Sequence, residues 1–178
     1  MEWMILPLKR YFDFSGRSRR KEYWLFTLFI VLASFVVGIL DSALGLTFGE
    51  TEGASSFRSN NGVLGTIFSL ATLIPSISVG VRRLHDVDRT GWWLLFPLIT
   101  TILGVLLGGL VGGFGADGGS SGVGGLGGLY GVLIGGAVGV AIGGIVLLVF
   151  YCTGGTRGPN RFGSDPKDPV GDVAEVFR

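Results

Sequence analysis

Chemistry in this chain would have to start from one histidine and one cysteine, because His85 and Cys152 are the only residues of their types. A zinc site takes three or four protein ligands, drawn mainly from those two types. His85, Asp86, Asp88 and Cys152 could just supply four, but the two aspartates would then lose the arginines around them. No serine or cysteine stands in a nucleophile signature with His85. The run Gly113-Phe114-Gly115-Ala116-Asp117-Gly118 fits G-x-G-x-x-G. That pattern has meaning only between a strand and a helix. Here it follows a long apolar run and reads as a flexible loop. No Walker-type phosphate loop is present.

The recurrent polar residue is arginine. Three segments carry it: Phe14 to Trp24 (FSGRSRRKEYW), Arg82 to Trp93 (RRLHDVDRTGWW) and Gly158 to Pro166 (GPNRFGSDP). From them comes a candidate ion-pair or anion site of Arg17, Arg20, Arg82, Arg83, His85, Asp86, Arg89, Thr90, Gly91, Asn160 and Arg161. Asp86 and Asp88 can pair with Arg17, Arg19, Arg20, Arg82 or Arg89. Thr90 is placed to cap the helix that follows it, and Gly91 allows close approach there. Three readings stay open for this cluster. It can be a structural knot of ion pairs, a seat for an anionic lipid headgroup, or a catalytic or metal centre. The shortage of histidine and cysteine argues against the last, so neither a cofactor, a metal nor an enzymatic activity is expected.

The elements that would position these residues are membrane helices. Of the 178 residues 48% are hydrophobic and only 15% charged, against about a quarter charged in a soluble domain. A net charge of +1 excludes a nucleic-acid binder resting on bulk charge, and one cysteine excludes an internal disulfide framework. Crossing a bilayer as a helix takes about 20 apolar residues. Four stretches qualify: 23–40, 62–81, 92–113 and 129–151. Because backbone polar groups in lipid must be bonded internally, they are expected to be helices. The fold class is therefore an all-α integral membrane protein, a single membrane domain over 1–178. Residues 1–22 are expected to be cytosolic or interfacial, with Trp3 to Phe14 lying along the headgroups. Residues 152–178 form a tail. Ala43-Leu44-Gly45 resembles a signal cleavage site, but the apolar run before it is too long for one, so a retained anchor is expected.

Orientation follows from lysine and arginine. Six precede the first span, one (Arg58) follows it, three lie between the second and third spans, none between the third and fourth, and four in the tail. With both termini cytosolic, 13 of the 14 lie inside, as the positive-inside rule requires. No ionisable residue falls within the four stretches, which argues against an ion path. An oligomeric small-solute or ion transporter or channel remains the alternative, its polar path formed by the serines and threonines of 62–81.

Glycine supplies 33 residues, 19 of them between Gly104 and Gly144. Gly104, Gly108 and Gly112 recur at four-residue intervals, as do Gly127, Gly131, Gly135, Gly139 and Gly143. Each set makes one helical stripe that lets another backbone approach. The stripes can pack the last two spans together within the chain or join copies into a homo-oligomer. Because each glycine weakens a helix, a mobile or irregular hairpin is expected.

The motifs GR-x-x-R-x-EYW, RRLHD followed by [ST]GWW, and GPNRFG-x-DP occur in that order across nearly the whole chain. In this the sequence resembles the YhaH/YhaI-type family of small bacterial inner-membrane proteins, whose shared domain has no assigned function. The resemblance implies a multi-span protein of the bacterial inner (plasma) membrane and supplies no activity. The chain departs from the pattern in its glycine-rich last spans, and at Asp88 and Thr90, where glycine and serine would be expected. Partners expected from the residues are the lipid bilayer, anionic phospholipid headgroups at the basic face, and a second copy or another membrane protein.

Overall fold

In a computed structural model of the chain, the structure describes residues 2–46, 62–115 and 126–167. Among these residues five α-helices follow one another: α1 (Glu2–Lys9), α2 (Arg20–Ala43), α3 (Val63–Asp86), α4 (Phe96–Gly115) and α5 (Leu126–Cys152), with a 3₁₀ turn over Gly91–Leu95 before α4. Among the described residues, four segments are long and apolar enough to cross a membrane: α2, α3, the 3₁₀ turn together with α4, and α5. Arg58 and Ala116-Asp117-Gly118 of the glycine pattern lie outside the described residues, as does the tail beyond Lys167. The chain divides into two compact units, Met1–Asp88 with Gly155–Arg178, and Arg89–Gly154.

The first unit is built on α3, against which α1 and α2 pack. Proline decides one of its contacts. Pro75 sits inside α3 and has no N–H, so the carbonyl of Ala71 one turn earlier loses its helical donor. The Tyr11 hydroxyl supplies the missing bond, donating to Ala71 O at 2.7 Å. Further along, the Ser78 hydroxyl donates to Asp13 O at 2.5 Å, and Ser18 N donates to Arg82 O at 3.1 Å. The chain between α1 and α2 is thereby stitched along α3. The remaining hydroxyls of α3 turn inward on their own helix. Thr66, Ser69, Thr72 and Ser76 each donate to the carbonyl four residues back.

At the far end of α2, the helix runs past the apolar stretch to take in Asp41, which is 1% exposed. Its carboxylate accepts Leu64 N at 3.0 Å and Gly65 N at 2.7 Å, capping the amino end of α3 from a neighbouring helix. The orphan N–H groups of a helix start and its positive dipole end both favour a carboxylate there. A Cβ on Gly62 would fall on this carboxylate. Ala43-Leu44-Gly45 is the stop of α2: Gly45 has φ 65°, and Leu46 N bonds back to Asp41 O at 2.9 Å. This closes the helix in the manner of a Schellman turn.

The second unit is an α4–α5 hairpin. A Cβ added at Gly104, Gly108 or Gly112 would strike the carbonyl oxygen of Gly135, Gly131 or Gly127 respectively, and one at Gly131 or Gly135 would strike that of Gly108 or Gly104. The stripes therefore face each other, antiparallel, within one chain. Gly139 and Gly143 continue the seam against Thr100 and Pro97, and the Thr100 hydroxyl crosses it to Gly139 O at 2.8 Å. Such close backbones gain dispersion and weak Cα–H···O contacts that larger residues would forbid. The irregularity expected from so much glycine is not found in the described residues. Both helices are continuous, because the packing the glycines permit offsets their poor propensity.

Candidate functional site

In the first unit the polar residues gather at the carboxyl end of α3. Arg83 and Asp86 stand three residues apart on one face of that helix, joined at 2.5 Å between Nη1 and Oδ2. From the turn before α2, Arg17 reaches the other oxygen of the same carboxylate, with Nε at 3.1 Å and Nη2 at 3.0 Å from Asp86 Oδ1. Arg82, on the next face, pairs instead with Glu22 of α2 at 3.2 Å. All five side chains are almost wholly enclosed, with Arg82 and Arg83 at 0% exposure. Charges so buried are tolerable only when paired with opposite charge. The Arg82–Glu22 contact is ionic rather than a well-aligned hydrogen bond: among the described residues, the three Arg82 side-chain nitrogens, Glu22 Oε1 and the Ser18 hydroxyl meet no hydrogen-bond partner.

The tail closes over this cluster. Gly155 lies where a Cβ would collide with the Asp86 carboxylate, and Thr156 N donates to Asp86 O at 2.9 Å. Arg17 Nη1 donates to Gly158 O at 2.7 Å and its Nη2 to Thr156 O at 2.5 Å. Asn160 Nδ2 donates to His85 O at 2.9 Å, and Phe162 stacks flat on the His85 ring, centroids 3.9 Å apart at 3°. His85 Nδ1 lies 3.3 Å from Gly16 O, which requires the proton on Nδ1, since a carbonyl only accepts. Arg161 bonds to Asp88 Oδ1 at 3.0 Å and to Asp88 O at 2.8 Å and overlies Phe162 at 4.8 Å. Gly16 and Gly158 turn the chain with φ of 77° and 75°, conformations that favour glycine.

Two loop carboxylates fix the turns on either side. Asp13 accepts the hydroxyl and N–H of Ser15, and the hydroxyl bond foremost holds its carboxyl below the ordinary value. Asp165 accepts Lys167 N and Gly158 N, and these bonds, that from Lys167 first, lower its carboxyl likewise.

Of the residues singled out by sequence, the structure gathers Arg17, Arg82, Arg83, His85, Asp86, Asn160 and Arg161. Arg20 is exposed at the start of α2. Arg89, Thr90 and Gly91 belong to the second unit, where Arg89 lies over the Trp93 and Phe150 rings at 5.6 and 5.4 Å. Thr90 holds the cap position without a side-chain bond. The turn is 3₁₀, and Trp93 N bonds to the Thr90 carbonyl instead. Among the described residues no three histidine, cysteine or acidic side chains come together as a metal set.

Sequence reasoning overlooked Glu22, Ser18, Gly155, Thr156, Phe162 and Asp41. Glu22 and Phe162 sit inside motifs already read, and Asp41 is a lone carboxylate at the end of an apolar run. Both acidic residues could have been flagged by asking what neutralises them. Asp88 has φ 56°, the left-handed region, which accounts for the glycine expected at that position.

The family described as "Protein of unknown function (DUF805)" matches residues 11–164, which takes in every residue of the cluster. Inner membrane protein YhaH of Escherichia coli (strain K12) is 34% identical over 167 residues, 94% of this chain and 98% of that protein. Inner membrane protein YhaI of the same strain is 32% identical over 167 residues, 94% of this chain and 97% of the relative. No solved structure matches the chain. None of these names carries an enzymatic activity. With four helices among the described residues able to cross a bilayer, the chain is a multi-pass inner-membrane protein and belongs to the DUF805 family.

Proposed function

We propose that the protein is a non-catalytic structural or interaction protein of the inner membrane, whose basic cytosolic rim binds anionic phospholipid headgroups. Both termini are cytosolic in this reading, supported by the 13 of 14 lysines and arginines it places on that side. The observation that carries it is a division among the basic residues. Arg17, Arg82 and Arg83 are buried in ion pairs, which suits a lock between helices. Lys9, Arg10, Lys21 and Arg157 are exposed, and exposed Phe12, Phe14 and Trp24 stand among them in the chain. Aromatic rings beside exposed cations suit the headgroup boundary, where α1 would lie as an interfacial helix. Transport finds less support, because four hydroxyls of α3 are committed to their own helix. So does self-association through the glycine stripes, which are used within the hairpin.

Native mass spectrometry of gently extracted protein tests the reading. Wild type should retain anionic lipid, and Lys9→Ala with Arg10→Ala should retain several-fold less. Equal retention, or none in either protein, removes it. A reporter fused after Arg178 should face the cytosol.

A further inference from the structure

Arg89 is the sole charged residue among the described residues of the second unit, so no carboxylate among them answers it. Asp88, its neighbour in the chain, is taken by Arg161. The Arg89 side chain is exposed and yet held in place. Its guanidinium carbon lies over the Trp93 ring at 5.6 Å and over the Phe150 ring at 5.4 Å, and the two rings meet edge to face at 5.1 Å. Ring faces attract the charge but offer no oxygen to the five N–H donors. Phe150 stands in the last turn of α5 and Trp93 in the 3₁₀ turn that leads into α4. The cation therefore marks the end of an apolar hairpin, the level at which hydrocarbon gives way to headgroups. Trp92, beside it in the three-residue run to Trp93's turn, is 77% exposed, which suits the same boundary.

We infer that Arg89 is a seat for the phosphodiester of a membrane phospholipid, with Trp93 and Phe150 as the residues that position it. Two N–H groups of the planar fork take two phosphate oxygens, the geometry in which arginine and phosphate fit best. Holding the guanidinium on two rings beforehand reduces the side-chain freedom lost on binding. The inference goes beyond anionic lipid at the rim of the first unit. It needs neither Lys9 nor Arg10, and the phosphodiester is common to zwitterionic and anionic lipids.

Solid-state NMR of full-length protein labelled with ¹³C-arginine, in phosphatidylcholine bilayers and phosphate-free buffer, reads the contact directly. Lipid is then the sole source of phosphorus, so no free anion can produce the signal. The Cζ resonance of Arg89, identified by its loss in Arg89→Lys, should be strongly dephased by ³¹P, as N–H···O distances of about 2.8 Å require. The Cζ of buried Arg83 is the internal reference. Dephasing of Arg89 no greater than that of Arg83 overturns the inference. Native mass spectrometry supplies a second readout. Arg89→Lys keeps the charge and loses the fork, and it should retain about fivefold less phosphatidylcholine than wild type. Equal retention overturns the forked contact. Phe150→Leu leaves Arg89 in the chain but removes one ring, and the Arg89 dephasing should fall; an unchanged value overturns the positioning role. Lys9→Ala with Arg10→Ala separates the two ideas. Unaltered anionic-lipid retention in that variant defeats the rim reading alone, whereas loss of the Arg89 dephasing there defeats the independence claimed here.

Discussion

The two units hold helices together by opposite means. In the first, α2 and α3 meet through buried charge at both ends: Arg82 with Glu22 at one, Asp41 on the amino end of α3 at the other. In the second, neither α4 nor α5 contains a charged residue, and the helices meet backbone to backbone along glycine. The contrast teaches what lipid takes away. Apolar side chains gain little by leaving lipid for one another, so helix association must rest on polar bonds or on close fit. One unit uses the first and the other the second. The first unit is accordingly specific in its partners, and the second is specific in its register.

The contrast can be broken by substitution. The largest effect should come from Asp86→Ala, which leaves Arg17 and Arg83 buried without their shared carboxylate and should cost about 3–5 kcal/mol. Reversible unfolding in mixed micelles measures it, and a loss below about 1 kcal/mol would mean that the knot is no lock. Next, Gly135→Ala drives a Cβ onto the Gly104 carbonyl and should cost about 2–3 kcal/mol. Gly144→Ala meets nothing within 4 Å and should be neutral or gain up to about 1 kcal/mol of helix propensity. Equal effects at the two positions would refute the seam. Smaller again, Asp41→Ala should cost about 1–2 kcal/mol through the lost cap and should speed amide exchange at Leu64 and Gly65 before that at Asp86. Smallest is Asp88→Gly, which relieves a left-handed backbone while removing a half-exposed ion pair. The two terms nearly cancel, leaving about 0.5 kcal/mol or less of either sign. Asp88→Ala loses the pair without relieving the strain and should be worse.

How much of this was legible beforehand differs with the kind of interaction. The apolar stretches could be read as helices because lipid forces their backbones to bond internally. Their ends could not be placed as well, since Asp41 joins α2 only by finding N–H groups on α3. The polar motifs were visible as a set and their pairings were not. Asp86 stands four residues from Arg82 and three from Arg83, and helix geometry offers either. It takes Arg83 and Arg17, while Arg82 turns to Glu22. The glycine stripes were plain, but their meeting within one chain, Gly104 opposite Gly135 and Gly108 opposite Gly131, was one of two open readings. Phe162 was visible as a residue of the tail motif, yet its seat on His85 lies 77 positions away in the chain.

By itself the sequence determined a multi-span inner-membrane chain, because hydropathy and the distribution of arginine and lysine act segment by segment and need no partner. Only the tertiary structure decided which arginine answers which carboxylate, what bonds the carbonyl that Pro75 frees, and what occupies the fork of Arg17. Those outcomes depend on distances between remote segments, and a buried charge or donor accepts whichever partner the packing brings within reach.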